Sequence, residues 1–333
     1  MSLLPILFAL KTSINRVPYP YNTPTLSFGD IWGWTYNGRE FALICLASKT
    51  VTGSGLALVE VTDPNNATYI KTIKRADGTS GKNGPVDVRI FGIYAYVCQD
   101  NVAENSYYVK LDDALNSPSN PFAGVQDFPP NVSTVGKRVH NLHISTTNGL
   151  LFLSDFRNDQ LIPVYDVNGG APVSKGTIPV PSGGRSHDVQ ATTSRVYDAS
   201  LTGGASITVY TYSGGVFSIN SQRNHKYNSR RGKAPNDFSP PYPATGTHDA
   251  IISSNGNYLY TTDERAGLDI SITDSSIRQR GAYLRIWDID SLDVPADQLH
   301  FMPPGADLSF RPDGLRLVPG ATLGPSPLRL GRS

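Results

Sequence analysis

Apolar residues recur along this chain in short runs. Acidic or amide side chains lie at the ends of these runs, and Gly, Pro and Asn lie between them. Such runs predict β-strands, so the sequence predicts an all-β chain. Five groups of runs each begin with a segment that opens on Asp or Asn, which we call the opener. The openers are Asp30, Asp87, Asn141, Asp188 and Asp249. The five closing runs are Val59–Asp63, Val109–Asp113, Val164–Asn168, Val209–Ser213 and Ile286–Asp290.

The five groups are repeats of one unit. A repeat of roughly 40 to 60 residues with three or four predicted strands is typical of one blade of a β-propeller. Because blades pack side by side in one ring, we expect one propeller domain over residues 26–302, with five recognisable blades and a total of six or seven left open. Residues 1–25 are predicted to be a leader or irregular segment, and residues 303–333 a tail or degenerate partial blade. The blades are predicted near residues 26–80, 81–130, 135–180, 183–225 and 245–302.

Charge and targeting signals narrow the function classes. With 29 basic and 28 acidic residues the net charge is +1, so bulk electrostatics does not attract nucleic acid, and we expect no such partner. The apolar stretch Leu3–Leu10 resembles a damaged or mis-started signal peptide and is too short to span a bilayer, so no transmembrane segment is predicted. Sequons at Asn66 and Asn131 are compatible with a secreted glycoprotein.

The two cysteines, Cys45 and Cys98, end the second runs of neighbouring blades, FALIC and YAYVC. Equivalent positions on adjacent blades are usually too far apart for a disulfide, whose Cα atoms must approach to about 4.4 to 6.8 Å. We therefore expect buried free thiols.

Polar residues gather at one end of the predicted blades, because the start of a first strand lies beside the end of the antiparallel second strand. We call this set the rim, and we expect it to surround the mouth of a central channel. Acids end the second run in four blades: Asp100, Asp155, Asp198 and Asp263. Histidines directly precede three successive openers: His140, His187 and His248. Three residues lie two positions after an opener, on the same strand face: Arg89, His143 and Gln190.

Two interpretations of the rim stay open. A residue type that recurs in every blade suits a structural role, in which the five openers accept backbone N–H bonds from a neighbouring blade. Non-repeated residues suit a site, and His140, His187 and His248 could converge on a divalent metal ion as a candidate cofactor. The candidate ligand-binding residues are Arg89, His140, His143, His187, Gln190, His248, Asp100, Asp155 and Asp263. The sequence has no GxSxG, Walker or Cys-x-x-Cys motif, so catalytic residues stay unknown and enzymatic activity stays open.

Several motifs together resemble a known family. GDIWGW, LALVEVTDP, HNLHISTTNGLLFLSD followed by VYDV, and SHDVQ followed by THDA and RIWDI look like the LVIVD-repeat propellers. More narrowly, they resemble the secreted proteins grouped as the choice-of-anchor B family, over about residues 26 to 300. The resemblance implies an extracellular or cell-surface β-propeller of unassigned biochemical role.

Two functions follow from these expectations. The first is a non-enzymatic recognition propeller that binds a glycan or a protein at the rim, since propeller faces are concave and their loops vary without harming the scaffold. The alternative is a metal-assisted hydrolase or lyase that acts on a polysaccharide or a lactone. In it the rim histidines would bind the metal, and an acid or Arg89 would act in acid–base or electrostatic roles.

Overall fold

The computed structural model of the protein describes residues 26–48, 54–75, 84–99, 105–135, 137–154, 160–181, 184–202, 207–223, 247–263 and 284–289. Within these residues the chain forms two compact units. Unit 1 contains the residues up to Ile144 together with Val167–Val173, and unit 2 contains Ser145–Asp166 and the residues from Ser174 onward. The predicted leader, residues 1–25, and the predicted tail, residues 303–333, lie outside the described residues.

Sheet 1 has four antiparallel strands in chain order. They are β1 (Leu26–Tyr36), β2 (Arg39–Ser48), β3 (Gly55–Glu60) and β4 (Thr68–Ile73). The first hairpin turns at Asn37 and Gly38, whose φ angles are 50° and 74°, and Tyr36 pairs with Arg39 across the turn. Two successive positive φ angles are what a type I′ turn requires, and Asn-Gly tolerates them best.

Sheet 2 has the same order. Its strands are β5 (Pro85–Phe91), β6 (Tyr94–Gln99), β7 (Tyr107–Lys110) and β8 (Val125–Asp127). The predicted closing run Val109–Asp113 is a strand only as far as Lys110, because helix α1 (Leu111–Asn116) begins there. Asp112 and Asp113 stand in the first turn of α1, where negative charge is favourable. A short 3-10 turn follows β8 at Pro130–Val132.

The end of α1 is fixed by a buried lysine. The ammonium of Lys71, on β4, donates to the carbonyl oxygens of Ala114 at 2.8 Å, Ser117 at 2.9 Å and Asn120 at 2.8 Å. Lys71 is 5% exposed, and burial lowers the pKa of its ammonium. The lysine thereby satisfies carbonyl groups that the end of a helix leaves without partners, and joins sheet 1 to the α1 segment.

Sheet 3 is the third four-stranded antiparallel sheet. Its strands are β9 (Asn141–Ser145), β10 (Leu150–Ser154), β11 (Leu161–Asp166) and β12 (Val173–Pro179). Every residue of the central strand β10 is buried, whereas the edge strand β12 exposes all but one of its residues. This contrast is expected when both faces of the central strands are covered.

Sheets 4 and 5 continue the same pattern. Sheet 4 consists of β13 (Arg185–Ala191), β14 (Arg195–Thr202), β15 (Ile207–Ser213) and β16 (Val216–Arg223). In sheet 5 three strands are described, β17 (Thr247–Ile252), β18 (Tyr258–Asp263) and β19 (Leu284–Asp288).

Five successive antiparallel sheets, each built from strands in chain order, are the blades of a β-propeller. The predicted fold class is therefore confirmed: the chain is an all-β propeller with five recognisable blades. A fourth, outer strand is present in sheets 1 to 4, where the sequence left it unassigned. Whether the ring holds further blades stays a prediction. In the described part of the chain, no helix is long and apolar enough to cross a membrane.

Apolar side chains from neighbouring sheets form the core of each unit. In unit 1 residues of sheets 1 and 2 pack together, among them Trp34, Leu43 and Val97. In unit 2 one cluster includes Phe152 and Val189, and a second cluster unites residues of sheets 4 and 5. The two cysteines, on β2 and β6, are buried and free, as predicted.

Candidate functional site

The five openers lie on the first strand of their sheets. Asp30 is in β1, Asp87 in β5, Asn141 in β9, Asp188 in β13 and Asp249 in β17. Because all five openers occupy the same position in their sheets, only the contacts of their side chains can distinguish a structural role from a ligand-binding one.

Asp87 joins sheet 2 to sheet 3. Its Oδ1 accepts from the backbone N–H of Val88 at 2.7 Å, and its Oδ2 from that of Leu142 at 2.7 Å. Leu142 directly follows the opener Asn141 on β9. Asp87 is 2% exposed; burial raises the pKa of its carboxyl, and the charge of Arg89 and the Leu142 N–H oppose that rise. Both carboxylate oxygens of Asp87 therefore serve the scaffold.

Asp188 makes the equivalent contact in unit 2. Its Oδ2 accepts from the backbone N–H of Ala250 at 3.0 Å, and Ala250 directly follows the opener Asp249 on β17. We call this contact the opener bond: the carboxylate of one opener accepts from the residue after the next opener. Asp87 and Asp188 make the contact that the structural interpretation requires, once in each unit. Asp87 and Asp188 thus each fix the first strand of one sheet against that of the next.

Arg89 lies in a cluster of four side chains in unit 1, which we call the Arg89 cluster: Asp30, Trp32, Asp87 and Arg89. Its guanidinium pairs with the carboxylates of Asp30 and Asp87. The central carbon of the guanidinium lies 4.3 Å from the centroid of the Trp32 ring. Trp32 is 39% exposed, unlike the aromatic residues of the core. The cluster therefore places the Arg89 cation, the exposed Trp32 ring and the carboxylate of Asp30 side by side.

Two further sequence-predicted rim residues of unit 1 are His140 and His143. Both are half-buried. The Nδ1 of His140 lies 3.5 Å from Nη2 of Arg138, and its backbone carbonyl accepts from the thiol of Cys98 at 3.3 Å. In unit 2, Gln190 is half-buried on β13.

The structure does not describe the side chains of three of the predicted rim acids. Asp100 and Asp155 lie outside the described residues, and Asp263 ends β18 with a side chain that also lies outside the description. Their role at the rim stays a prediction.

In unit 2 the structure brings together His187, His248 and Asp249, which we call the β13–β17 cluster. One ligand atom from each residue lies within 4.8 Å of the others. The two imidazole rings are 4.0 Å apart between centroids, with their planes tilted by 37°. His187 is 2% exposed. His140 belongs to unit 1, so the convergence of three histidines stays a prediction.

Hydrogen bonds fix the side chains of this cluster. The Nδ1 of His187 lies 2.7 Å from the backbone carbonyl oxygen of His248, and the Nδ1 of His248 lies 2.9 Å from Oδ1 of Asp249. The hydroxyl of Thr262 donates to Oδ2 of Asp249 at 3.1 Å. Burial alone would raise the pKa of Asp249, but the contacts with His248 and Thr262 outweigh it and lower that pKa. Asp249 is therefore a carboxylate at neutral pH.

Asp198 was expected at the end of a second strand, but β14 continues to Thr202 and places it within the strand. There it pairs with Val189 on one side and Thr208 on the other. Asp198 is 0% exposed, and neither of its carboxyl oxygens has a hydrogen-bond partner of good geometry. Burial raises the pKa of its carboxyl to about 7, while Ser186 acts to lower that pKa and the charge of Asp188 acts to raise it. The sequence pattern identified Asp198 as a rim acid but did not predict its burial, because burial depends on the neighbouring strands.

A groove of about 450 Å³ in unit 1 was not predicted. It lies at the far end of β1 from the opener Asp30, beside the first hairpin. Arg39 and Glu60 form a two-contact ion pair there, at 2.8 and 2.6 Å. The groove is lined by Tyr36, Asn37, Arg39, Glu60, Thr68, Tyr69, Ile70, Leu115, Asn116 and Pro118.

Comparisons with known proteins agree with the fold and assign no family. No protein-family model matches the sequence, and no curated protein matches it significantly. Among solved structures, the chain is similar to a functionally unknown protein from Desulfotomaculum acetoxidans DSM 771, with 15% identity, a TM-score of 0.51, and coverage of 86% of this chain and 73% of that chain. A putative 6-phosphogluconolactonase from Bacteroides fragilis NCTC 9343 has 13% identity, a TM-score of 0.51, and coverage of 85% and 74%. The β-propeller domain of Swd1 from Myceliophteria thermophila has 10% identity, a TM-score of 0.45, and coverage of 76% and 67%.

Proposed function

We propose that this β-propeller is a secreted or cell-surface recognition scaffold of the LVIVD-repeat type, within the choice-of-anchor B family, and that it binds a glycan or a protein at the rim. Localisation outside the cell and membership of the family rest on the sequence motifs HNLH, SHDVQ and LVEVTDP. The propeller supplies a scaffold on which the rim residues can vary.

The observation that carries the proposal is the opener bond. Asp87 and Asp188 direct a carboxylate oxygen at a backbone N–H of the next sheet, so these two openers hold neighbouring sheets together. Recognition then falls to residues that occur once. In unit 1 these are Trp32 and Arg89, an exposed aromatic ring with a cation on it. Tryptophan and arginine are the side chains most enriched where proteins bind their partners.

A second function is favoured by the β13–β17 cluster. Two imidazoles and a carboxylate are the ligand types of catalytic zinc sites, which leave a coordination position for water. On this alternative the protein is a metal-assisted hydrolase or lyase that cleaves a polysaccharide or a lactone. The Bacteroides protein is named a putative lactonase, which makes a lactone one substrate to assay.

The test is a screen of the purified full chain against glycan and extracellular-protein arrays, followed by affinity measurements on the hits. We expect saturable binding that Trp32→Ala weakens by about tenfold, which is the usual effect of truncating an aromatic contact. The control is Arg39→Ala, which changes the groove at the far end of β1 and should leave the affinity unchanged. Loss of binding in Arg39→Ala with retention in Trp32→Ala would place the ligand in the groove and refute the rim assignment.

A further inference from the structure

We propose that His187, His248 and Asp249 bind one divalent transition-metal ion, and that His140 does not take part. This ligand set differs from the three histidines that the sequence predicts, because the acid comes from an opener. The proposal does not depend on the recognition function, since a metal ion can bind whether or not the rim takes a glycan or a protein.

The first support is the position of the three side chains. His187 lies on β13, and His248 and Asp249 are neighbours on β17, so residues from two sheets of unit 2 meet. Candidate ligand atoms of all three lie within 4.8 Å of one another. His187 is 2% exposed, whereas the side chains of His248 and Asp249 are 33% and 44% exposed. One buried ligand and two accessible ones give an ion both an anchored site and an entry path.

The second support is the tautomer that the hydrogen bonds impose. The carbonyl oxygen of His248 can only accept, so the Nδ1 of His187 must carry the proton at their 2.7 Å contact. A neutral His187 therefore has its lone pair on Nε2. Histidines that bind metals commonly donate their other ring N–H to a backbone carbonyl, and His187 has this arrangement.

The third support is how closely the side chains are held. The imidazole rings of His187 and His248 lie 4.0 Å apart between centroids, and the hydroxyl of Thr262 donates to Oδ2 of Asp249 at 3.1 Å. Side chains that neighbouring groups already hold in place need little rearrangement to bind an ion.

The ligand types in the β13–β17 cluster favour transition-metal ions over calcium and magnesium. Imidazole nitrogen suits zinc, copper, nickel and cobalt, whereas calcium and magnesium prefer sites made only of oxygen. Two nitrogens and one oxygen match a zinc-type site that water completes. The ion would join β13 to β17 beside the opener bond from Asp188 to Ala250, and so connect sheets 4 and 5 a second time.

The experiment is equilibrium dialysis of the purified full chain against Zn²⁺ after treatment with a chelator, with Co²⁺ absorption as an independent report on the ligands. We expect one ion per chain. His187→Ala and Asp249→Asn should each lower the affinity at least about tenfold, the scale on which metal sites respond to changes in their ligand shell. Circular dichroism of each variant separates loss of a ligand from loss of fold, and Asp249→Asn preserves the shape of the side chain.

His140→Ala is the discriminating control. The proposal predicts that it binds Zn²⁺ as tightly as the parent chain. If His140→Ala loses the ion together with His187→Ala, the three-histidine set is the site and the proposal is wrong. If the parent chain binds no stoichiometric ion, or if folded His187→Ala and Asp249→Asn bind it like the parent, the β13–β17 cluster is not a metal site. Neither result bears on whether the rim binds a glycan or a protein.

Discussion

Changing Asp198 to Asn should make the stability of this protein less sensitive to pH. Asp198 is fully buried in β14, and burial raises the pKa of its carboxyl from 3.8 to about 7. Because the pKa in the folded state is the higher one, the stabilising contribution is fully present below about pH 3.8. It falls as the pH rises and is lost as the pH passes through about 7. At about 1.36 kcal/mol per pKa unit, the whole change is about 4 kcal/mol.

Asparagine has the shape of aspartate and no charge at any pH, so Asp198→Asn removes this dependence. Between about pH 5 and about pH 8.5, the unfolding free energy of the variant should rise relative to the parent by about 3 kcal/mol. A buried amide without hydrogen-bond partners costs stability, but that cost is the same at both pH values. The measurement is urea unfolding followed by tryptophan fluorescence at each pH.

The matched control is Asp63→Asn in the exposed turn after β3, which removes the same charge from the surface. If the difference between Asp198→Asn and the parent stays constant within about 0.5 kcal/mol over this pH range, the carboxyl is not held in a water-free site, and the reasoning from burial fails.

Three further stability predictions concern named contacts. Asp188→Ala leaves the N–H of Ala250 without its acceptor, so urea unfolding should show a loss of about 1 to 3 kcal/mol. A parent-like stability with loss of ligand binding would instead make that opener functional. Lys71→Met removes the ammonium from three carbonyl oxygens and should lower the free energy of unfolding by about 3 kcal/mol. The control Lys175→Met changes an exposed lysine and should lower it by less than about 1 kcal/mol. Equal losses in the two variants would refute the structural role of buried Lys71. Gly124→Ala would put its Cβ 2.3 Å from a β7 carbonyl oxygen at a φ of 76°, so we expect a lower melting temperature, and an unchanged one would contradict that close approach.

The strands could be predicted from the sequence because local residue patterns determine them. Alternation between turn residues and short apolar runs marks each strand, and Asn37-Gly38 marks a hairpin turn by the backbone angles that it tolerates. The repetition of the openers also predicted a backbone contact with a neighbouring sheet, which Asp87 and Asp188 make. The start of α1 was missed because the pattern VKLDD is typical of a strand, whereas Leu111 and Ala114 are buried in the core of unit 1 from one face of a helix.

The site was less predictable because it depends on residues far apart in sequence. The packing of sheet 4 against sheet 5 brings His187 to His248, and no spacing in the sequence reveals that Asp249 completes the group. Burial of Asp198 depends on Val189 and Thr208, which neighbouring strands supply. The groove beside Arg39 and Glu60 likewise forms only when the first hairpin meets the α1 segment.

We propose that this propeller binds a ligand and leaves it chemically unchanged. The most direct test incubates the purified chain with a glycan or protein hit from the array screen, or with a lactone, and follows both complex and product by mass spectrometry, with and without a chelator. The account predicts a stable complex, an unchanged ligand, and weaker binding by Trp32→Ala. Release of a cleaved product that stops on chelation, and that His187→Ala abolishes, would contradict it and establish the metal-assisted hydrolase or lyase instead.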